Sequence, residues 1–139
     1  MKQCGGPSRL IYALPLRTLV QGVYRTIHDI LEKQQLANED VRIQTGEQPD
    51  DPFFTLGSVV VTTYDQVLSG LLGGPFGLSN RLRNINAALT IGSMLVFDEF
   101  HLMPADKAFL TGVAMSHLFK SFHQSVWMTA TATSVLTGD

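Results

Sequence analysis

The chain has 139 residues, of which 45% are hydrophobic and 16% charged, and its formal net charge at pH 7 is −2. This length and apolar content fit one globular domain with a buried core, and no apolar stretch approaches the ~20 residues of a transmembrane helix. The slightly negative charge excludes a general electrostatic attraction to nucleic acid. The lone Cys4 excludes an internal disulfide and, with no secretion-signal pattern at the start, favours a reducing cytoplasm.

Short apolar runs alternate with helical patterns along the chain, as in βαβ units that build a mostly parallel sheet flanked by helices. Apolar residues recur at helical spacing over residues 16–31 and again from Pro104 to Phe122. Two more helices are predicted over residues 65–72 and 79–89, separated by a Gly-Gly-Pro turn at 73–75. The five predicted strands are residues 10–14, 41–44, 58–62, 94–98 and 125–129.

The sequence Asp-Glu-Phe-His at residues 98–101 directly follows the apolar run 94–97. That run is hydrophobic throughout, as in a parallel strand covered on both faces, and such sheets place ligands at the carboxyl ends of their strands. There, Asp98 and Glu99 can share the work of phosphoryl transfer, since one can hold hydrated Mg²⁺ while the other orients or deprotonates the attacking water. His101 can relay the state of the site to a neighbouring strand. Taken alone, the acidic pair also fits a strand capped by the start of a turn.

Polar residues follow the other predicted strands as well, and their order along the chain is informative. They are Pro-Leu-Arg-Thr-Leu-Val-Gln at 15–21, Thr-Gly at 45–46, Thr-Thr-Tyr-Asp-Gln at 62–66 and Thr-Ala-Thr at 129–131. Together with residues 98–101, these segments resemble motifs Ia, Ib, Ic, III and II of the superfamily 2 DEAD/DEAH-like helicases. The forms of the segments at 62–66 and 98–102 look most like the helicase-nuclease of type I CRISPR systems.

The resemblance implies an α/β fold of the RecA-like, P-loop NTPase type, with ATP and Mg²⁺ as cofactors. By the same resemblance, Asp98 holds Mg²⁺ through water and Glu99 positions the hydrolytic water. His101 then couples the nucleotide state to strand movement, together with Thr129, Ala130 and Thr131.

The resemblance also implies single-stranded DNA as a partner, contacted through its backbone without sequence preference. Arg17 stands at the start of a predicted helix, where amides and the positive end of the dipole also favour an anion. The residues predicted to contact the single-stranded DNA are Arg17, Thr45, Gly46, Thr62 and Thr63. Without the motif order, the arginine would be an ordinary solvated side chain and the two adjacent threonines simple β-formers.

The sequence departs from the family by lacking Gly-x-x-x-x-Gly-Lys-Ser/Thr, the loop whose amides and lysine hold nucleotide phosphates. Before its first strand the chain has Cys-Gly-Gly-Pro-Ser at residues 4–8, in which Gly5-Gly6 is interpreted as a flexible lead-in and not as a phosphate loop. The second RecA-like domain and the nuclease domain of the CRISPR family are not represented either. We therefore expect residues 1–139 to form an incomplete first RecA-like domain that hydrolyses no ATP alone.

Two classes of function remain open at this point. The first is a cytoplasmic segment of an ATP-dependent DNA helicase of CRISPR defence, acting with the other helicase portions or a CRISPR surveillance complex. The second is a non-catalytic module, either a weak single-strand binder or a partner of a complete helicase; a truncated gene product without function is a further alternative. A phosphate loop encoded in frame upstream of Met1 would favour the first. Asp98, Glu99 and His101 could begin a zinc site, but no second ligand pair has metal-ligand spacing, so no transition-metal site is predicted. His28, His117 and His123 are assigned no functional role.

Overall fold

The computed structural model describes residues 6–7, 9–36, 40–48, 50, 56–71, 92–118 and 124–130, with the backbone alone at 109–110 and 114–118. Five strands lie within these ranges: β1 (Leu10–Leu14), β2 (Val41–Gln44), β3 (Val59–Thr63), β4 (Met94–Phe97) and β5 (Gln124–Trp127). The helices are α1 (Arg17–Lys33), α2 (Tyr64–Leu71) and α3 (Ala105–Leu118), and a 3₁₀ turn spans Phe100–Leu102. No helix in the described part of the chain is both long and apolar enough to cross a membrane.

The strands form one sheet in the order β2-β3-β1-β4-β5, and every neighbouring pair is parallel. This arrangement confirms the predicted parallel α/β fold. Because all strands run in the same direction, their carboxyl ends meet along one edge of the sheet. β1 lies at the centre, with Leu14 opposite Thr63 of β3 and Ala13 opposite Phe97 of β4.

Alternate residues of the strands enter two separate cores, one on each face of the sheet, as the two-residue period of a strand requires. On one face, Leu14, Ile43 and Val61 pack with Val20 of α1. On the other, α2 and the start of α3 cover a larger cluster that includes Ile11, Val60, Leu95, Phe97 and Val67. Each side chain that is fully removed from water contributes ~1.5–3 kcal/mol to this packing.

Contacts between aromatic rings stabilise the carboxyl end of β4. The Phe97 ring lies 5.3 Å from the ring centres of both Tyr64 and Trp127, and the Phe100 ring lies edge-on to Trp127 at 4.6 Å. Such pairs are worth ~0.5–1.5 kcal/mol beyond the area they bury. The turn after β4 is therefore anchored to both β5 and α2.

The predicted elements agree with the structure, apart from small shifts at their ends. β1 and β2 have the predicted bounds, β3 lies one residue later, and β4 ends one residue earlier because the backbone turns at Glu99. β5 begins one residue before the predicted start and ends two residues before the predicted end. The first helical pattern is α1, and α2 starts one residue early. The predicted turn at 73–75, the helix at 79–89 and the end of the last helical pattern lie outside the described residues.

Candidate functional site

The Asp98-Glu99 pair lies where the chain reverses direction after β4. The Asp98 N–H still donates to the Ala13 carbonyl at 3.0 Å, as a strand residue would. Glu99 has φ 57° and ψ 38°, the left-handed conformation, which costs a non-glycine residue ~1–2 kcal/mol. Its carbonyl then accepts the Leu102 N–H at 2.9 Å, which closes the 3₁₀ turn. Strained backbone of this kind persists where its surroundings enforce it, and it is concentrated at functional sites.

Two tyrosines hold Asp98 from opposite faces of the sheet. The Tyr12 hydroxyl, from the α1 side, donates to Asp98 Oδ2 at 2.6 Å, and the Tyr64 hydroxyl, from the α2 side, donates to the Asp98 carbonyl. The other carboxylate oxygen, Oδ1, accepts the Glu99 N–H at 2.8 Å. Both the side chain and the backbone of Asp98 are thus fixed by hydrogen bonds.

The two phenols remain hydrogen-bond donors at neutral pH. Burial raises the pKa of Tyr12 far above its ordinary value, and the hydrogen bond to Asp98 and the charges of Asp98 and Glu99 raise it further. Burial and the same two negative charges raise the pKa of Tyr64 in the same direction. An ionised phenol beside these carboxylates would be repelled by them, so the neutral form is the stable one.

The carboxylates of Asp98 and Glu99 fit a hydrated Mg²⁺. Both residues are half-buried at the carboxyl edge of the sheet, so that water can reach them. Each oxygen of Asp98 accepts one hydrogen bond from the protein and keeps lone pairs for water or a cation. Mg²⁺ takes oxygen ligands, keeps several waters and is commonly bound through one or two carboxylates, which matches this donor set.

His101 connects this pair to the segment after β5. Its Nδ1 lies 3.4 Å from the Ala130 N–H and 3.3 Å from Glu99 Oε2. Unprotonated Nδ1 accepts from Ala130, whereas protonated Nδ1 donates to Glu99, so a single nitrogen cannot make both contacts at once. The Phe100 N–H donates to the Met128 carbonyl at 3.1 Å and strengthens the same junction.

Of the three residues predicted to couple with His101, the structure therefore brings Ala130 into contact with it. Thr129 is half-buried beside this contact. Thr131 lies outside the described residues.

A second group of residues meets at the start of α1. It consists of the predicted residues Arg17, Thr45 and Gly46 together with Glu47, and we call it the rim. Arg17 Nη2 lies 3.7 Å from the position that a Cβ on Gly46 would occupy. The Arg17 guanidinium also forms an ion pair with Glu47. One turn further along α1, Gln21 donates to the side chain of Gln48. The predicted arginine and the Thr-Gly segment are thus neighbours in space.

The three predicted threonines are buried, and two of their hydroxyls are engaged within the protein. Thr62 donates to the Gln44 carbonyl at 2.7 Å and joins β3 to β2. Thr45 accepts the Gln48 N–H at 3.0 Å and closes the turn that carries Gly46. Thr63 is 8% exposed at the end of β3. Of the five residues assigned to single-strand contacts, Arg17 and Gly46 are therefore the exposed ones.

Three residues that were not predicted as site residues belong to the site, namely Tyr12, Glu47 and Tyr64, the last of which lies within the segment at 62–66. Of the three, only Tyr12 could have been suspected from the sequence, because it is the one residue with a polar group in an otherwise aliphatic strand. Such a hydroxyl usually finds a partner when it is half-buried. Tyr64 and Glu47 lie after the ends of strands, and only their contacts in the structure show that they belong to the site.

One further group of side chains that could bind a metal lies on α1, away from the acidic pair. His28, Asp29 and Glu32 place ligand atoms within 4.8 Å of one another on α1, with both acidic residues exposed. Exposed acidic groups of this kind are common without a bound ion. Nothing else in the described residues points to a cation there.

Comparison with known families agrees with this geometry. The sequence model of the family described as DEAD/DEAH box helicase matches residues 2–137 and so includes every strand end described above. The all-parallel sheet flanked by helices is consistent with the RecA-like α/β domain of such helicases. No curated protein matches the chain.

Proposed function

Because the chain belongs to the DEAD/DEAH box helicase family, we propose that it is the part of an ATP-dependent DNA helicase that carries the Mg-ATP hydrolysis motif and contacts a single strand. The observation that carries this proposal is the junction at the carboxyl edge of the sheet. There, the acidic pair meets His101, and His101 meets Ala130 of the neighbouring strand end. Such a junction can link hydrolysis at one strand end to movement at the next.

The residues of the acidic site divide the work between them. Asp98 would hold a hydrated Mg²⁺ through water, and Glu99 would orient or deprotonate the attacking water. Mg-ATP, when bound beside these carboxylates, would supply the phosphoryl group and ADP as the leaving group. His101 exchanges its Nδ1 contact between Glu99 and Ala130, which lets the segment after β5 respond to the charge of the site.

The rim provides the nucleic-acid contacts in this proposal. α1 has no side-chain cap at Leu16 and no acidic residue in its first turn, so its first amides and dipole favour a phosphate. Arg17 adds a guanidinium at the same place, and Gly46 allows the sugar-phosphate backbone to approach closely. Thr45 and Thr62 hold the rim in shape through their hydrogen bonds to Gln48 and Gln44. In this proposal Thr63, at the end of β3, adds a hydroxyl. Such contacts position a strand without reading its sequence.

The cellular role that we propose is CRISPR antiviral defence in the cytoplasm. It is supported by the Thr-Thr-Tyr-Asp-Gln and Asp-Glu-Phe-His-Leu forms of the segments at 62–66 and 98–102. The partners in this role are single-stranded DNA, the remaining portions of the helicase and a CRISPR surveillance complex. The chain would contribute motifs Ia to III of the first of two motor domains.

Fluorescence anisotropy tests the nucleic-acid part of the proposal, with single-stranded DNA, single-stranded RNA and duplex DNA of equal length at several salt concentrations. Weak binding to single-stranded DNA that falls modestly with salt is expected, because few charges are involved. Tighter binding to duplex DNA, or binding to none of the three, would contradict it.

A plasmid-interference assay in the source cell tests the CRISPR role. Deletion of the gene should abolish interference, and the wild-type gene should restore it whereas Glu99→Gln should not. Interference that survives the deletion would exclude this role.

The alternative function is a non-catalytic single-strand binder or a partner of a complete helicase. The specific observation in its favour is that the sequence contains no Gly-x-x-x-x-Gly-Lys-Ser/Thr. The same cellular assay separates the two: a non-catalytic module retains its function with Glu99→Gln, whereas the hydrolysis motif of a motor does not.

A further inference from the structure

We propose that Tyr12 is a positioning residue for the carboxylate of Asp98, holding it in the orientation from which it binds a hydrated divalent cation. This inference rests on the proposed function and adds to it a residue outside the predicted site. It begins from the hydrogen bond of 2.6 Å between the Tyr12 hydroxyl and Asp98 Oδ2, which joins residues 86 positions apart in the sequence.

A carboxylate at a strand end needs such a contact in order to keep one orientation. The terminal torsion of an aspartate is broad and roughly two-fold, so rotamer preference alone does not fix the plane of its oxygens. In this structure the Glu99 N–H binds Oδ1 and the Tyr12 hydroxyl binds Oδ2. One donor on each oxygen selects the plane and so fixes the directions of the lone pairs that remain.

Tyr12 is itself held rigidly. It lies in the central strand, with Val61 of β3 opposite on one side and Val96 of β4 opposite on the other. Its half-buried ring packs against the core cluster under α1, which includes Leu14 and Val20. Because the ring has little freedom, the hydroxyl is presented to Asp98 at a set position.

Tyr64 provides a comparison within the same site. Its hydroxyl also donates to Asp98, but to the backbone carbonyl and from the opposite face of the sheet. Removal of that hydroxyl weakens the hold on the Asp98 backbone and leaves both hydrogen bonds to the carboxylate in place. The two tyrosines therefore separate positioning of the carboxylate from support of the backbone.

The direction of the effect distinguishes positioning from a simple change of charge. A hydroxyl that donates to a carboxylate stabilises its negative charge and lowers its attraction for a cation. If charge dominated, Tyr12→Phe would bind a cation more tightly. If positioning dominates, as we propose, the variant binds it more weakly, since the carboxylate samples other orientations.

The experiment is a titration of the whole 139-residue chain with Mn²⁺, followed by electron paramagnetic resonance of the unbound ion. Asp98→Asn should abolish the site. Tyr12→Phe should weaken Mn²⁺ binding ~10-fold, the lower end of the effect of outer ligands on metal sites. Tyr64→Phe should show a smaller loss, and Tyr24→Phe, on α1, should match the wild type.

Each outcome bears on a separate part of the proposal. If Asp98→Asn binds Mn²⁺ like the wild type, the proposed metal site fails and this inference with it. If Asp98→Asn loses binding but Tyr12→Phe equals Tyr64→Phe or binds more tightly, the positioning role alone is overturned. Tyr12→Leu, which lacks the hydroxyl but retains a strand-compatible aliphatic side chain, should reproduce the loss; wild-type affinity in that variant would also overturn the inference.

Discussion

Arg17 and Glu47 form an ion pair between the first turn of α1 and the loop that follows β2. Their side chains are 59% and 74% exposed, so the pair is accessible to a competing anion. The guanidinium that we assign to a phosphate is thus already bound to a carboxylate. A nucleic-acid strand that uses Arg17 must displace Glu47, and this competition gives opposite expectations for variants of the two residues.

Replacement of the arginine should weaken nucleic-acid binding and its salt dependence together. Arg17→Ala is expected to lower the affinity for single-stranded DNA about tenfold, because a hydrogen bond to a charged group is worth ~1.5 kcal/mol or more. The slope of log affinity against log salt should fall by ~1. Anisotropy titrations at several salt concentrations measure both. Arg25→Ala, which removes an exposed arginine elsewhere on α1, is the matched control, and an unchanged slope in Arg17→Ala would remove that residue from the contact set.

Replacement of the glutamate should have the reverse effect. Glu47→Gln releases the guanidinium and should raise the affinity for single-stranded DNA by up to about fivefold, since an exposed ion pair contributes ~0–1 kcal/mol. The gain should shrink at high salt, where the pair is screened. Glu32→Gln removes the same charge from an exposed position on α1 and controls for net charge. Equal gains in the two variants would show that Glu47 does not compete at Arg17.

The 139-residue chain alone should hydrolyse no ATP, although its acidic pair is present. Asp98 and Glu99 act on a metal and a water beside phosphates that other groups must hold, and the sequence contains no phosphate-loop lysine. Loss of positioning groups that work as a unit removes more activity than any single substitution. The measurement is phosphate release by purified chain with and without single-stranded DNA. DNA-stimulated turnover that disappears in Glu99→Gln would mean that the chain contains an unrecognised phosphate-binding loop.

Alkaline pH should destabilise the fold through the two tyrosines of the site. Burial and the neighbouring carboxylates raise the pKa of both phenols in the folded state. Above the ordinary tyrosine pKa of ~10 the unfolded chain releases these protons while the folded chain retains them. The two tyrosines therefore make their full contribution to the free energy of unfolding below that pH, and the free energy falls as the pH rises beyond it. Urea unfolding at about pH 8 and about pH 11 measures the fall. The double variant Tyr12→Phe, Tyr64→Phe should lose less stability than the wild type, and an equal loss would contradict this assignment.

Much of the fold follows from local pattern. The bounds of β1 and β2 and the existence of all five strands could be predicted because each strand is a short apolar run between polar segments. The edge on which Asp98 lies could be predicted too, since parallel strands place their carboxyl ends together. The end of β4 was predicted one residue late, because the left-handed turn at Glu99 depends on contacts with β5 and α2.

What the sequence by itself determined is therefore the parallel sheet and the set of polar residues along its carboxyl edge. Only the tertiary structure decided how those residues are used: the Thr62 hydroxyl joins two strands, Arg17 meets Glu47, and Tyr12 holds Asp98. The physical reason is the separation in sequence between the residues that interact. Periodicity reports which face a residue occupies within one element, whereas a hydrogen bond between side chains 86 positions apart depends on strand order and register, which no local pattern contains.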